Sequence, residues 1–181
     1  KLKGTLPDDP HVQKMLSAVN AIDGLTRMVK SQLPDSSIED LATYLPTYIA
    51  TKQAEMGPIV FEATKRTHFR FLQRGTLLES VLDNVLANAV RYRPAGTPIT
   101  VRIFGEHAVL HIDIHNQGPE IPAAEQAAIF AFGYSTSTRR DNKGVGLYVS
   151  RYYMQMLDGK LECVPTVNGA TFRLTLPALE D

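Results

Sequence analysis

The chain has 181 residues, 44% of them hydrophobic and 21% charged, and its formal net charge is zero. This is the composition of a globular protein with one good core and an appendage, and it gives no electrostatic basis for binding nucleic acid or an anionic membrane surface. The single cysteine, Cys163, excludes an internal disulfide and fits a reducing compartment, and no apolar run approaches the roughly 18 residues that span a bilayer.

In chain order, Val12, Met15, Val19, Ile22 and Val29 form a heptad-like stripe from about His11 to Lys30, which predicts a helix. The stripe fits either an intramolecular core or a dimer seam. Ser31–Ser37 breaks it with Pro and turn formers. Ser37 is the expected cap of a second helix running to about Glu55, with Pro46 kinking it or marking its true start. Beyond Met56-Gly57-Pro58 the period falls to two, through Ile59, Phe61 and Ala63 and then Phe69 and Phe71.

The most informative stretch is Leu77–Pro94. Leu78, Val81, Leu82, Val85, Leu86 and Ala89 recur at helical spacing and line one face. Thr76 with Glu79 three residues on has the form of a capping box. Asn84 and Asn88 share another face. Asn is a mediocre helix former, so two in register point to a use other than folding. A carboxamide oxygen is a hard neutral ligand, suited to Mg²⁺ that keeps most of its waters and leans on substrate phosphates. Arg91 is spaced to reach the same phosphates.

Two alternating strands follow: Ile99, Val101 and Ile103, then Leu110, Ile112 and Ile114, with a turn at Gly105-Glu106-His107. Asn116–Pro122 is a rigid turn leaving the strand end, and Ala127–Phe132 is a short apolar segment. Gly133 to Gly144 is polar and reads as a lid. Gly144-Val145-Gly146 opens a helix to about Leu157, and glycines there let backbone N–H groups approach a phosphate. Lys160–Val164 and Thr171–Leu176 close the chain as a hairpin.

This order of elements resembles the catalytic and ATP-binding domain of sensor histidine kinases, within the wider family of DNA gyrase, MutL and heat-shock chaperone ATPases. Asp83–Tyr92 (DNVLANAVRY) is similar to the family's N box and Asn116–Pro122 (NQGPEIP) to its G1 box. Ile129–Thr136 (IFAFGYST) is similar to the F box, Asn142–Cys163 to the G2 box and its helix, and Gly169–Pro177 to the closing strand. The resemblance covers roughly Ile38 to Pro177. It implies an α+β fold, a two-layer α/β sandwich of the Bergerat type with a mixed sheet packed against helices. A helical segment precedes it: residues 1–37 are expected to be the remnant of a dimerisation hairpin, and 38–181 the ATP-binding domain.

The resemblance also implies roles. Asn88 matches the Mg²⁺ ligand, Asn84 the second amide near the phosphates, and Arg91 a phosphate contact. Tyr92 matches the ring against adenine, and Asn116 the acceptor of the adenine amino proton, with Gly118 shaping that pocket. Gly144 and Gly146 would hold the phosphates, and Thr171 would lie near the adenine polar network. Ile121, Ser135, Thr136, Lys143, Val145 and Leu147 complete the expected nucleotide site.

Three positions depart from the family pattern: Asn116 stands for Asp, Glu120 for Gly, and Asn142 for the first glycine of the G2 box. A neutral acceptor makes a hydrogen bond roughly half as strong as an ionised one. Hydrolysing relatives and serine kinases of the family carry Glu where this chain has Asn84, and an amide takes no proton near pH 7. A neutral imidazole nucleophile needs no such base. The expected activity is therefore that of a histidine protein kinase, with ATP and Mg²⁺. It passes phosphate to a His outside this chain and on to a response regulator, in a homodimer formed through the hairpin. The expected setting is the cytoplasmic part of a membrane-anchored bacterial sensor, because the chain starts at Lys1 and reads as a fragment. A degenerate binding module, or an ATPase or serine kinase of the same fold, are the alternatives.

Overall fold

The computed structural model describes residues 36–64, 69–74, 76–106, 108–134 and 144–179. The chain divides into two compact units, Lys1–Pro34 and Asp35–Asp181, and every described residue belongs to the second. The heptad stripe of the first 30 residues and the expected hairpin therefore lie outside the described residues, as do Ser135, Thr136, Asn142 and Lys143.

The described unit begins with a strand where a helix cap was expected. Ser37–Asp40 is β1, paired antiparallel with β3 (Arg70–Gln73) in a two-stranded sheet. The first helix, α1, is Leu41–Met56, and Asp40 rather than Ser37 caps it, its Oδ1 accepting from the Ala42 N–H at 2.8 Å. The other carboxylate oxygen of Asp40 accepts from Phe69 N–H at 3.2 Å, which ties the helix start to the strand beside it. Pro46 sits inside α1, five residues past its first residue, and the helix continues through it. Leu41, Leu45, Tyr48 and Ile49 form the buried face. A fully buried side chain of this size stabilises by about 1.5–3 kcal/mol, enough to outweigh a missing backbone bond.

The main sheet has five strands in the order β2-β4-β5-β7-β6. They are β2 Ile59–Ala63, β4 Ile99–Glu106, β5 Val109–Asn116, β6 Lys160–Val164 and β7 Ala170–Pro177. Only β2–β4 is parallel, so the sheet is mixed. Gly105 and Glu106 belong to β4, pairing with Leu110 and Val109, so the hairpin turns later than expected. Helices α2 (Leu77–Tyr92) and α3 (Gly146–Met156) pack on one another and on the sheet, and a single 3₁₀ turn covers Ala128–Phe130.

The apolar stripe of α2, Leu78, Val81, Leu82, Val85, Leu86 and Ala89, is buried. So are Val101 and Ile103 of β4, Ile112 and Ile114 of β5, and Phe172 and Leu174 of β7. The register pairs Ile114 with Val101 and Phe172, and Ile112 with Ile103 and Leu174, so these residues share the inner face. The opposite face carries partners of a different kind. Asp113 accepts two hydrogen bonds from Arg173, each 2.7 Å, and His111 and His115 bond Thr175 and Thr171 at 3.0 Å through Nδ1.

Thr76 does not form the expected capping box, as its side chain makes no cap hydrogen bond. Glu79 instead accepts from the Tyr44 hydroxyl at 3.2 Å, across the gap to α1. One turn on, Asp83 receives both Tyr48 Oη and Lys52 Nζ. Burial opposes the ionisation of Asp83, but these two donors outweigh it and hold the carboxyl below its ordinary range. Two tyrosine–carboxylate pairs thus fix α2 against α1 just before the Asn84–Asn88 face begins.

Candidate functional site

The inner sheet face, α2 and the start of α3 leave a cleft of about 350 Å³, within the range of small-ligand sites. Helix α2 supplies Asn84, Ala87, Asn88, Arg91 and Tyr92. The turn after β5 supplies Asn116 and the segment Pro119–Pro122, and the stretch beyond it gives Glu125 and Ile129. Ala170 and Phe172 of β7 form the floor, and Gly144, Gly146 and Leu147 lie at the entry to α3. The structure thus brings Asn84, Asn88, Arg91, Tyr92, Asn116, Ile121, Gly144, Gly146 and Leu147 onto one cavity.

Asn116 ends β5 and is buried. Its Nδ2 donates to the Gln117 carbonyl at 2.9 Å, and among the described residues no donor meets its Oδ1. The nitrogen is committed to the protein and the oxygen is left for something else. Gly118 does not line the cleft. It lies under the end of α2 at φ +131°, where a Cβ would stand 2.5 Å from the Tyr92 carbonyl oxygen, so only glycine lets the turn pass so close. Its contribution is to the shape of the turn.

Glu120 lies at the cleft rim, where a carboxylate would repel an anionic ligand if it pointed inward. One of its oxygens instead accepts the Asn168 N–H at 2.9 Å, at the tip of the β6–β7 hairpin. The carboxylate therefore joins the turn after β5 to that hairpin. Tyr134 donates to Glu125 at 2.7 Å, which raises the tyrosine's pKa and makes the pair a section of wall. Gly133 N–H donates to Gly144 O at 3.1 Å.

The α3 entry meets α2 closely. A Cβ on Gly146 would stand 3.4 Å from Asn84 Oδ1, and Asn84 Nδ2 donates to Ser150 Oγ at 3.1 Å. Val145 is the N-cap of α3 and makes no side-chain cap hydrogen bond. The start of α3, a place that favours negative charge, borders the cleft through Gly146 and Leu147 beside Asn84.

Thr171 corrects the expected site. It lies on the face of β7 opposite the cleft, bonded to His115, because side chains alternate along a strand. Its neighbours Ala170 and Phe172 face the cleft. The sequence reading also missed Ala87, Pro119, Pro122, Glu125, Ile129 and Tyr134, none of which has chemistry that singles it out. The alternation of Phe172, Leu174 and Leu176 would have found Ala170.

A mixed sheet with helices on one face, and a cleft between an amide-bearing helix and a glycine-started helix, define a two-layer α/β sandwich of the ATP-binding kind. Residues 73–180 match the family model "Histidine kinase-, DNA gyrase B-, and HSP90-like ATPase". The chain belongs to that family. It is 33% identical over 139 residues to the aerobic respiration control sensor protein ArcB of Escherichia coli, covering 72% of this chain and 18% of ArcB. To the probable sensor kinase SilS of Salmonella typhimurium it is 29% identical over 108 residues, covering 58% of this chain and 22% of SilS. The chain therefore spans about a fifth of the length of these relatives. Among solved structures, the mycobacterial sensor histidine kinase MprB aligns with a TM-score of 0.68 at 22% identity, over 81% of this chain and 100% of that one. The catalytic domain of histidine kinase ThkA aligns with a TM-score of 0.68 at 21% identity, over 80% and 96%. These two likenesses concern the fold.

Proposed function

We propose that the cleft binds ATP with Mg²⁺, and that this domain is the catalytic part of a sensor histidine kinase acting on a His outside the chain. The observation that carries this is one cavity lined by Asn116 together with Asn84, Asn88 and Gly146. The residues fit the ligand. A cleft-lining amide oxygen with no donor among the described residues suits a base's amino group, and a helix start without a side-chain cap from Val145 suits the phosphates. Mg²⁺ usually takes one or two protein oxygens and fills its shell with water and phosphate. Asn88 would be that ligand, and Arg91 would neutralise charge at the reacting phosphate.

In this reading the domain positions and neutralises, and does little acid–base chemistry. Asn84 supplies no base, which suits an imidazole acceptor better than water or a hydroxyl. The phosphate would pass on to a response regulator Asp. Residues 1–37 would belong to the hairpin through which the full-length protein dimerises, on the cytoplasmic side of a membrane-anchored sensor. The sensor-kinase relatives support this placing.

Calorimetric titration with ATP, with and without Mg²⁺, tests the binding half. Affinity should lie between about micromolar and millimolar. Asn88→Ala should weaken binding more when Mg²⁺ is present, and equal loss in both conditions would remove Asn88 from the metal. A dimeric helical hairpin bearing the acceptor His, added in trans, should become phosphorylated in an acid-labile, base-stable form. Brisk ATP hydrolysis by the domain alone, or phosphoserine on the hairpin, would refute the kinase assignment.

A further inference from the structure

We propose that Ser150 is a positioning residue of this cleft, acting through Asn84 to hold that amide with its oxygen toward the ligand. The inference rests on the nucleotide reading above. Ser150 lies one turn into α3 and is wholly buried. A hydroxyl there is a weak choice for helix stability, and burial is costly unless it is bonded. Alanine would satisfy both demands, so the hydroxyl needs another reason. The structure supplies one in the 3.1 Å hydrogen bond from Asn84 Nδ2 to Ser150 Oγ.

An amide has one donating end and one accepting end. With the nitrogen turned to Ser150, the oxygen lies on the other side, beside Gly146 at the mouth of α3. That is the positive end of the helix, and Val145 places no side-chain acceptor there. The turned-over amide would present its NH₂ to the same positive end. A serine hydroxyl can donate as well as accept, so the positive helix end selects this orientation, and Ser150, accepting from Nδ2, holds Asn84 in it as an acceptor at the phosphate end of the cleft. The oxygen can receive a water, a nucleophile's N–H or a hydrated cation, and it does not compete with the helix N–H groups as a second donor to phosphate.

The role predicts a selective effect. Ser150→Ala should weaken Mg²⁺–ATP by about two- to tenfold, the worth of one neutral hydrogen bond, and leave adenosine affinity unchanged. Ser150→Cys, similar in size but a poor acceptor, should behave like the alanine variant and serves if that variant folds badly. In the Asn84→Ala background, Ser150→Ala should add nothing. In the nucleotide-free protein, one Asn84 side-chain N–H should exchange slowly by nitrogen–proton NMR, and that protection should vanish in Ser150→Ala. An equal loss of ATP and adenosine would mean a merely structural serine. Unchanged ATP affinity in a folded Ser150→Ala, with the wild type binding ATP, would overturn this inference alone. A wild type that binds neither ligand would overturn the nucleotide reading and this inference with it.

Discussion

Replacing Asn116 with leucine tests the proposed role of this cleft residue in holding the base. The substitution keeps the side chain's approximate size and removes both polar atoms. The Gln117 carbonyl then loses the 2.9 Å bond from Nδ2, a net cost of about 0.5–1.5 kcal/mol to the fold. In a domain of this size that lowers Tm by about 1–6 °C, so the variant should remain folded at 25 °C. The effect on ligand is larger. A base amino group buried against a methyl is left unsatisfied, at about 1–3 kcal/mol, or roughly a 5- to 150-fold loss in ATP affinity. ITP is the control, because it carries an oxygen where ATP carries that amino group. The wild type should prefer ATP to ITP, and Asn116→Leu should bring the two affinities together by losing ATP. Asn116→Asp keeps an acceptor and should retain the preference. Competition titrations at fixed Mg²⁺ measure the ATP and ITP affinities of all three proteins. A folded leucine variant with wild-type ATP affinity and undiminished discrimination would refute the assignment of Asn116 to the base.

Gly169→Ala should be among the most damaging single substitutions, because φ is +135° and the new Cβ would stand 1.9 Å from the Asn116 carbonyl oxygen. Backbone would have to move from backbone, at about 2–4 kcal/mol, and scanning calorimetry should find a clear fall in Tm; a shift within about 2 °C would contradict the packing described. The pH dependence of stability should carry a contribution from His111, which faces Thr175, Phe104 and Arg173 on the outer sheet face. Burial, then the Arg173 charge, hold its pKa below the ordinary 6.5, against the opposing pull of Asp113, Glu106 and Glu162. The neutral ring therefore contributes stability that is present above pH 6.5 and is lost as pH falls through the depressed folded value. His111→Gln should flatten that part of the profile in urea titrations between neutral and mildly acidic pH, and an unchanged slope would count against it.

Much of the fold follows from periodicity. The stripe of α2, the alternation of β4 and β5, and the final hairpin are local patterns, and burial followed them closely. The structure turns Ala170, and not Thr171, toward the cleft, with the parity of Phe172, Leu174 and Leu176 on the inner face. The expectation for Thr171 comes from the family resemblance and runs against that parity. The candidate site was legible wherever residue type carried chemistry: two amides in helical register, an amide at a strand end, glycines before a helix.

The chain by itself determined which faces are apolar, because side-chain direction repeats with the backbone and needs no distant partner. Only the tertiary structure decided what each polar side chain meets. Glu79 has the spacing of a capping box and bonds Tyr44 of another helix. Asp40 outcompetes Ser37 as cap because β1 pairs with β3 and brings Phe69 N–H to its second oxygen. Glu120 reaches Asn168, and Asn84 reaches Ser150, across separations of 48 and 66 residues. A hydrogen bond forms over about 3 Å and depends on angle, so the partner of a polar group is set by how the elements pack and not by its neighbours in sequence.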